Sequence, residues 1–244
     1  MQKYQFRPGI WLVLFLGSVM VMTASFGFWQ LDRAEQKQQL QSAIDRRSAE
    51  QPIALPNSQI DIQDLSAMQH FSGVVRGSWL ANKQFLLENV VYKGKVGYYV
   101  YTPLLLADGQ VLLVNRGWVA ASAYREQLPN VELPSEAAEI SGRFAAPRSK
   151  PIMVGGLPPA NANSDAVWFY VDMALLQARV DMPLASFVML QTSADDTGLV
   201  RDWPVFDAKV SMHIGYAIQW FAFTVIAFIF FLIFSFRRSK VEEK

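Results

Sequence analysis

Ile10 to Phe28 (IWLVLFLGSVMVMTASFGF) runs 19 residues without a charge, and Ile214 to Phe236 (IGYAIQWFAFTVIAFIFFLIFSF) runs 23 with only Gln219 strongly polar. A helix rises about 1.5 Å per residue and a hydrocarbon core takes about 20 residues, so the first stretch is a minimal membrane span and the second has room to tilt. Trp11 and Trp29 bracket the first, and Tyr216 and Trp220 lie near the start of the second, as interfacial aromatics do. Lys3 and Arg7 would also suit a cleaved signal peptide. The apolar run is longer than the usual signal core, however, and Thr23, Ala24, Ser25 and Gly27 form no clean cleavage site, so a retained anchor is expected.

Lys3 and Arg7 before the first span, and Arg237, Arg238, Lys240 and Lys244 after the second, place both tails on the cytoplasmic side. The expected fold is therefore an α+β membrane protein: a cytoplasmic tail at 1–9, transmembrane helix 1 at 10–29 and a helical stalk at 30–51. A β-rich, barrel-like extracytoplasmic domain at 52–209, transmembrane helix 2 at 210–236 and a second cytoplasmic tail at 237–244 complete it. In a bacterium that is the inner (plasma) membrane with a periplasmic central domain; in a eukaryote it is the mitochondrial inner membrane. The near-neutral net charge of +1 on 244 residues hides this division, because residues 31–209 hold 16 basic and 19 acidic side chains while the tails are basic.

Composition excludes several chemistries. The 18% charged content and balanced signs do not suit a nucleic-acid-binding face. The absence of cysteine removes disulfides, thiolate nucleophiles, zinc ribbons, iron–sulfur ligation and thiolate copper carriers. The two histidines, His70 and His213, are 143 positions apart, so no His-x-His or HExxH metal cluster can be written.

After the first span, DRAEQKQQLQSAIDRRSAEQ continues as a helix whose thin apolar stripe (Leu31, Ala34, Leu40, Ile44) suits a partly exposed stalk ending at Pro52. The period then shortens. Residues 71–80, 84–92, 97–106 and 111–120 are rich in β-branched and aromatic side chains, with Ala107-Asp108-Gly109-Gln110 a hairpin signal, and 139–144 and 187–191 read as further strands. Residues 172–180 form one helix with Asp172 as N-cap, closed by Asp181-Met182-Pro183. Six or so strands with short turns favour an antiparallel barrel or curled sheet, closed to hide its edges, with one or two helices. Residues 147–163 and 193–204 are polar loops.

Acid–base chemistry is hard to assemble. His70 stands at a loop-to-strand junction with no nucleophile elbow, phosphate loop or dinucleotide fingerprint nearby, and reads as a turn histidine. Asp195-Asp196 and Asp61 with Asp64 read as solvated turns. His213 differs in its location at the outer boundary of the second span, where helical spacing puts Tyr216, Ala217 and Trp220 on its face. An imidazole there is costly to leave unpaired and needs a partner in the neighbouring helix, at the headgroups or in a cofactor. Position alone favours an ordinary interfacial histidine. The alternative is an axial ligand to haem iron, with Ala217 leaving room for a macrocycle and Arg33 and Lys209 supplying cations for its propionates. Basic residues near span ends also commonly snorkel to lipid phosphates, so both readings stay open. In Val114–Val119 (VNRGWV), Gly117 suits a bulge or positive φ, and Arg116 is expected to pair with an acidic residue inside the barrel rather than to face the membrane.

Five fragments together resemble the Surfeit locus protein (Surf/Shy) family of cytochrome c oxidase assembly factors. They are GFWQLDR (Gly27, Trp29, Gln30, Arg33, with Lys37 a turn on), GYYVYTP (Gly97, Tyr99, Thr102, Pro103), VNRGWV, WFYVD (Trp168, Tyr170, Asp172) and HIGYAIQWF (His213, Tyr216, Ala217, Trp220). Ser211-Met212 and Gln219 depart from that pattern, as does the 147–163 loop. The resemblance implies a non-enzymatic assembly factor that binds haem a and supports its insertion into the oxidase catalytic subunit. His213 would then be the axial iron ligand, with Tyr216, Trp220, Arg33 and Lys209 around the cofactor. The partners implied are that catalytic subunit, haem a synthase and the lipid bilayer. A cofactor-free scaffold that steadies oxidase subunit intermediates is the alternative.

Overall fold

A computed structural model describes residues 4–57, 61–124, 127–133, 137–148, 150–151, 159–161 and 164–238. In chain order its elements are β1 (Tyr4–Phe6), α1 (Ile10–Ala49), β2 (Ile53–Leu55), α2 (Leu65–Met68), β3 (Ser72–Trp79), β4 (Phe85–Tyr92), β5 (Lys95–Leu106), β6 (Val111–Ala120), β7 (Ala137–Ala145), β8 (Val167–Trp168), α3 (Met173–Val180), β9 (Leu184–Gln191), α4 (Val210–Ser235) and β10 (Phe236–Arg238). Two compact units divide the chain: residues 1–43 with 206–244, and residues 44–205.

The first unit is built on α1 and α4, the two helices long and apolar enough to cross a membrane. Their contact is an antiparallel seam. Within this unit the buried positions on α1 are Leu16, Thr23, Gly27, Gln30 and Ala34; on α4 they are Ala217, Ala227 and Ser235, with His213, Trp220, Phe221, Thr224 and Phe231 half-buried. Steps of three and four residues are those of a coiled-coil seam, which keeps one stripe of each helix on its partner. Thr23 and Thr224 share a hydroxyl hydrogen bond of 2.7 Å, and the Phe26 and Trp220 rings lie 4.8 Å apart. Small residues permit this closeness: a Cβ on Gly27 would stand 2.6 Å from Phe221 Cε1. The outward faces carry exposed apolar side chains such as Trp11, Phe15, Val21 and Ile218, a surface suited to lipid. Beyond the spans, Tyr4–Phe6 pairs antiparallel with Phe236–Arg238, a short ribbon in segments the sequence offered only as tails.

The helix α1 continues unbroken past the span, and of the four expected stripe residues Ala34 and Ile44 are buried. Leu31 and Leu40 are exposed, whereas Gln30, Ala34 and Ile44 are buried, with Lys37 and Gln41 half-buried. Past the start of α4 a polar contact takes over: Gln41 Oε1 accepts the Ala208 N–H at 3.0 Å.

The second unit is barrel-like. Strands β3, β7, β9, β6 and β5 pair in sequence, and β3 pairs again with the end of β5, which closes a ring; β4 continues from the other half of β5 and carries β8. Most pairs are antiparallel, but β6–β9, β4–β8 and β2–β3 are parallel. Parallel neighbours need a long connection, and the segment from β6 to β9 supplies it, carrying β7, β8 and α3. Both faces of β6 are buried. Leu112 and Val114 join Val75, Trp79, Leu104, Phe144 and Phe187 in one cluster; Val111 and Leu113 join Phe85, Leu87, Trp168, Leu176 and Val180 in another. That double burial is why β6 reads as a near-continuous apolar run. Trp168 stacks on Phe85 at 4.1 Å, and the Asp172 carboxylate accepts the Ala174 and Leu175 N–H groups as the N-cap of α3.

VNRGWV forms a bulge. Val100 opposes Gly117 and Tyr101 opposes Asn115, leaving Arg116 as the extra residue, while Gly117 has φ +142°. Arg116 is buried, but its partners are neutral: Nη1 donates to Gln84 Oε1 and Nη2 to the Glu132 carbonyl, each at 2.9 Å, and the guanidinium lies 5.5 Å from the Trp79 ring centre. Among the described residues no carboxylate pairs with Arg116, contrary to expectation; Asp195 pairs with Arg201 at 2.6 Å. Asp195 is thus no solvated turn, since its side chain is only 10% exposed.

Burial alone would raise the Asp195 carboxyl, but hydrogen bonds from Arg201 and Thr197 outweigh it and hold its pKa at about 2, below the ordinary 3.8. Because the folded value is the lower one, the stabilisation is complete above the ordinary value and is lost as pH falls through about 2. It is worth about 1–2 kcal/mol after solvent screening. Acid titrations of unfolding free energy, compared between wild type and Asp195→Asn, should converge as the pH drops from about 4 to about 2.

Candidate functional site

The polar centre of the helix pair is a hydrogen bond of 2.8 Å between His213 Nδ1 and Gln30 Oε1. Gln30 is 9% exposed and sits between Gly27 and Ala34 on the buried line of α1. His213 lies one turn into α4, one turn before Ala217, which is 1% exposed. The imidazole partner required on α1 is therefore a carboxamide 183 residues away in sequence. Among the described residues nothing hydrogen-bonds to the second ring nitrogen, Nε2, which the five-membered ring directs away from Gln30.

The other expected site residues surround this pair unequally. Trp220 is drawn into the seam against Phe26 and Phe223, whereas Tyr216 is 47% exposed. Arg33 lies one helical turn beyond Gln30, with its guanidinium 5.8 Å from the Trp29 ring centre and donating to Gln36 Oε1 at 2.9 Å. Lys209 is exposed, one turn before His213, in a left-handed conformation that starts α4. Both cations are thus on the same unit and at the same end of the seam as His213, but neither touches it. The donor set suits ligation of a haem iron: one imidazole nitrogen already bonded, the other without a hydrogen-bond partner among the described residues, and cations a turn away.

Gln30 is the member that sequence reasoning missed as a site residue. Its signal was present: a carboxamide in the same register as Thr23 and Gly27, facing a histidine that needed a partner. The separation along the chain hid the match.

Among the described residues the second unit assembles no comparable centre. His70 occupies a left-handed turn (φ 77°), with its N–H donating to the Phe144 carbonyl, and burial followed by the Arg143 and Arg47 charges lowers its pKa. Asp64 caps the short α2, and Asp61 accepts the Gln63 N–H. Thr102 supports Gln84 beneath Arg116, and Gly97 admits the Trp118 ring. These motif residues therefore build the barrel, and among the described residues His213 and Gln30 are the pair with open coordination chemistry.

Seam closeness is testable because the chain has no native cysteine. Thr23→Cys with Thr224→Cys should cross-link on mild oxidation, since the native hydroxyls are 2.7 Å apart. Adding Gly27→Leu should lower the yield severalfold, as overpacking at Phe221 costs about 1–3 kcal/mol and pushes the helices apart.

A family model described as the SURF1 family matches residues 18–225, which takes in the barrel and reaches into both spans. A SURF1-like protein of Rickettsia felis is 24% identical over 234 residues, covering 89% of this chain and 93% of the relative. One of Monosiga brevicollis is 26% identical over 227 residues, covering 86% and 82%. The cytochrome oxidase assembly protein SHY1 of Saccharomyces cerevisiae is 25% identical over 120 residues, covering 48% of this chain and 31% of its own length.

Proposed function

The chain belongs to the SURF1 family, and from that premise we propose that it is a membrane-anchored assembly factor for a haem–copper cytochrome c oxidase, holding haem a through His213 for insertion into the catalytic subunit. The observation that carries this reading is the His213 imidazole, bonded through Nδ1 to Gln30 and open at Nε2, at the outer end of an apolar helix pair. When bound, the haem would supply an iron centre for one imidazole nitrogen to hold. His213 provides that nitrogen, Trp220 and Tyr216 offer flat apolar flanks, and Arg33 and Lys209 neutralise carboxylates near the headgroup level. A single protein ligand and a lipid-facing flank let the cargo leave sideways, as transfer to another membrane protein requires.

The basic residues of both tails support a cytoplasmic side for them, with residues 44–205 outside in a bacterium or in the intermembrane space of a mitochondrion. The catalytic subunit and haem a synthase are the partners this role needs. In cells lacking the chain, restoring the wild type should raise the haem a content of the isolated catalytic subunit, and His213→Ala should not.

One observation favours a second reading, a scaffold without cofactor. The His213–Gln30 bond by itself satisfies the imidazole and joins the two spans. That reading expects the catalytic subunit to co-purify equally with wild type and His213→Ala, and full haem a insertion with both.

A further inference from the structure

The atom that faces His213 Nδ1 is the Gln30 carboxamide oxygen, at 2.8 Å. In that orientation of the amide the oxygen accepts and cannot donate, which in the neutral ring puts the proton on Nδ1 and the lone pair on Nε2. A neutral histidine side chain in water prefers the opposite arrangement, with the proton on Nε2. The helix contact thus reverses an intrinsic preference, and it can do so because the acceptor is held firmly: Gln30 is 9% exposed, and the Thr23–Thr224 bond and the Gly27–Phe221 contact set the helix spacing on the same line.

We infer that Gln30 is a positioning residue that fixes His213 as the Nδ1–H tautomer and so makes Nε2 the donor atom for an iron porphyrin. The inference rests on reading His213 as an axial ligand. Its physical basis is the general one for metal-bound histidines, whose second ring nitrogen donates to an oxygen acceptor that orients the ring and raises its basicity. Losing such an acceptor typically weakens metal binding about 10–100-fold.

The test uses the full chain, labelled with 15N-histidine, in phosphatidylcholine nanodiscs at about pH 8.5, where an ordinary histidine is neutral. With two histidines in the chain, His70→Gln assigns the spectrum. Wild type should show His213 protonated on Nδ1. Gln30→Glu, which keeps an oxygen acceptor, should preserve that tautomer, and Gln30→Leu should move the proton to Nε2. Haemin titrated into the same samples should bind about 10–100-fold more weakly to Gln30→Leu, with Gln30→Glu within a few-fold of wild type. A wild-type His213 protonated on Nε2, or a tautomer unchanged in Gln30→Leu, would overturn the assignment. Haemin affinity unchanged in Gln30→Leu would overturn the positioning role. A wild type with the Nδ1–H tautomer and no haemin affinity would instead overturn the axial-ligand reading and leave the tautomer assignment standing.

Discussion

His213→Ala is expected to reduce bound haem about a hundredfold or more, while both units stay folded. Removing a supporting acceptor alone costs about 10–100-fold, and removing the only imidazole nitrogen on the helix pair removes the iron bond itself. The structural cost is small by comparison. An interhelical hydrogen bond in a membrane is worth about 0.6–2 kcal/mol, and the Thr23–Thr224 bond, the Phe26–Trp220 stack and the Gly27–Phe221 contact remain. The two roles of His213 therefore separate experimentally: Soret absorbance per protein should collapse, whereas cross-linking of Thr23→Cys with Thr224→Cys should stay near its level in otherwise unaltered protein. Equal losses in both would assign His213 to helix packing.

The second large effect is expected far from the spans. Gly117 has φ +142°, and a Cβ there would meet Leu199 Cβ at 2.8 Å and the Val200 carbonyl oxygen at 2.9 Å. Gly117→Val combines backbone strain of about 1–3 kcal/mol with overpacking of similar size, together a large share of a stability of about 5–15 kcal/mol. The bulge would also release Arg116, whose carbonyl accepts from Arg201 Nε at 2.8 Å, and the Trp118–Val200 backbone pair. Thermal unfolding of the full chain, followed by tryptophan fluorescence, should begin about 6–15 °C lower. Gly94→Ala is the control: φ is also positive (+78°) but no atom lies within 4 Å of the added Cβ, so a loss of about 1 kcal/mol is expected. A melting curve for Gly117→Val that matches this control would show the bulge to be dispensable.

The strands from residue 71 to 120 are legible in the sequence because their pairing is local, with β4–β5 and β5–β6 joined by short turns whose residues announce them. The spans are legible because twenty apolar residues admit few other readings. What escapes is non-local. The parallel β6–β9 pair joins Val111–Asn115 to Leu184–Leu190, and no local signal names that partner. On the stalk, hydrophobicity points to Leu31, Ala34, Leu40 and Ile44; Ala34 and Ile44 are buried, but both leucines are exposed while Gln30 is buried and Lys37 and Gln41 are half-buried. Asp195 looks like half of a solvated acidic turn until Arg201 and Thr197 close around it. The candidate site shows the same split: His213 is conspicuous by location, while Gln30 acquires meaning only once the two helices lie side by side.

The measurement that bears most directly on the proposed role is the haem-to-protein ratio of the wild-type chain purified in mild detergent from cells that make haem a, beside His213→Ala prepared the same way. The prediction is a substantial haem a content with an axial-histidine spectrum in the wild type and near-baseline content in the variant. A haem-free wild type, or equal haem content in the two proteins, would contradict it.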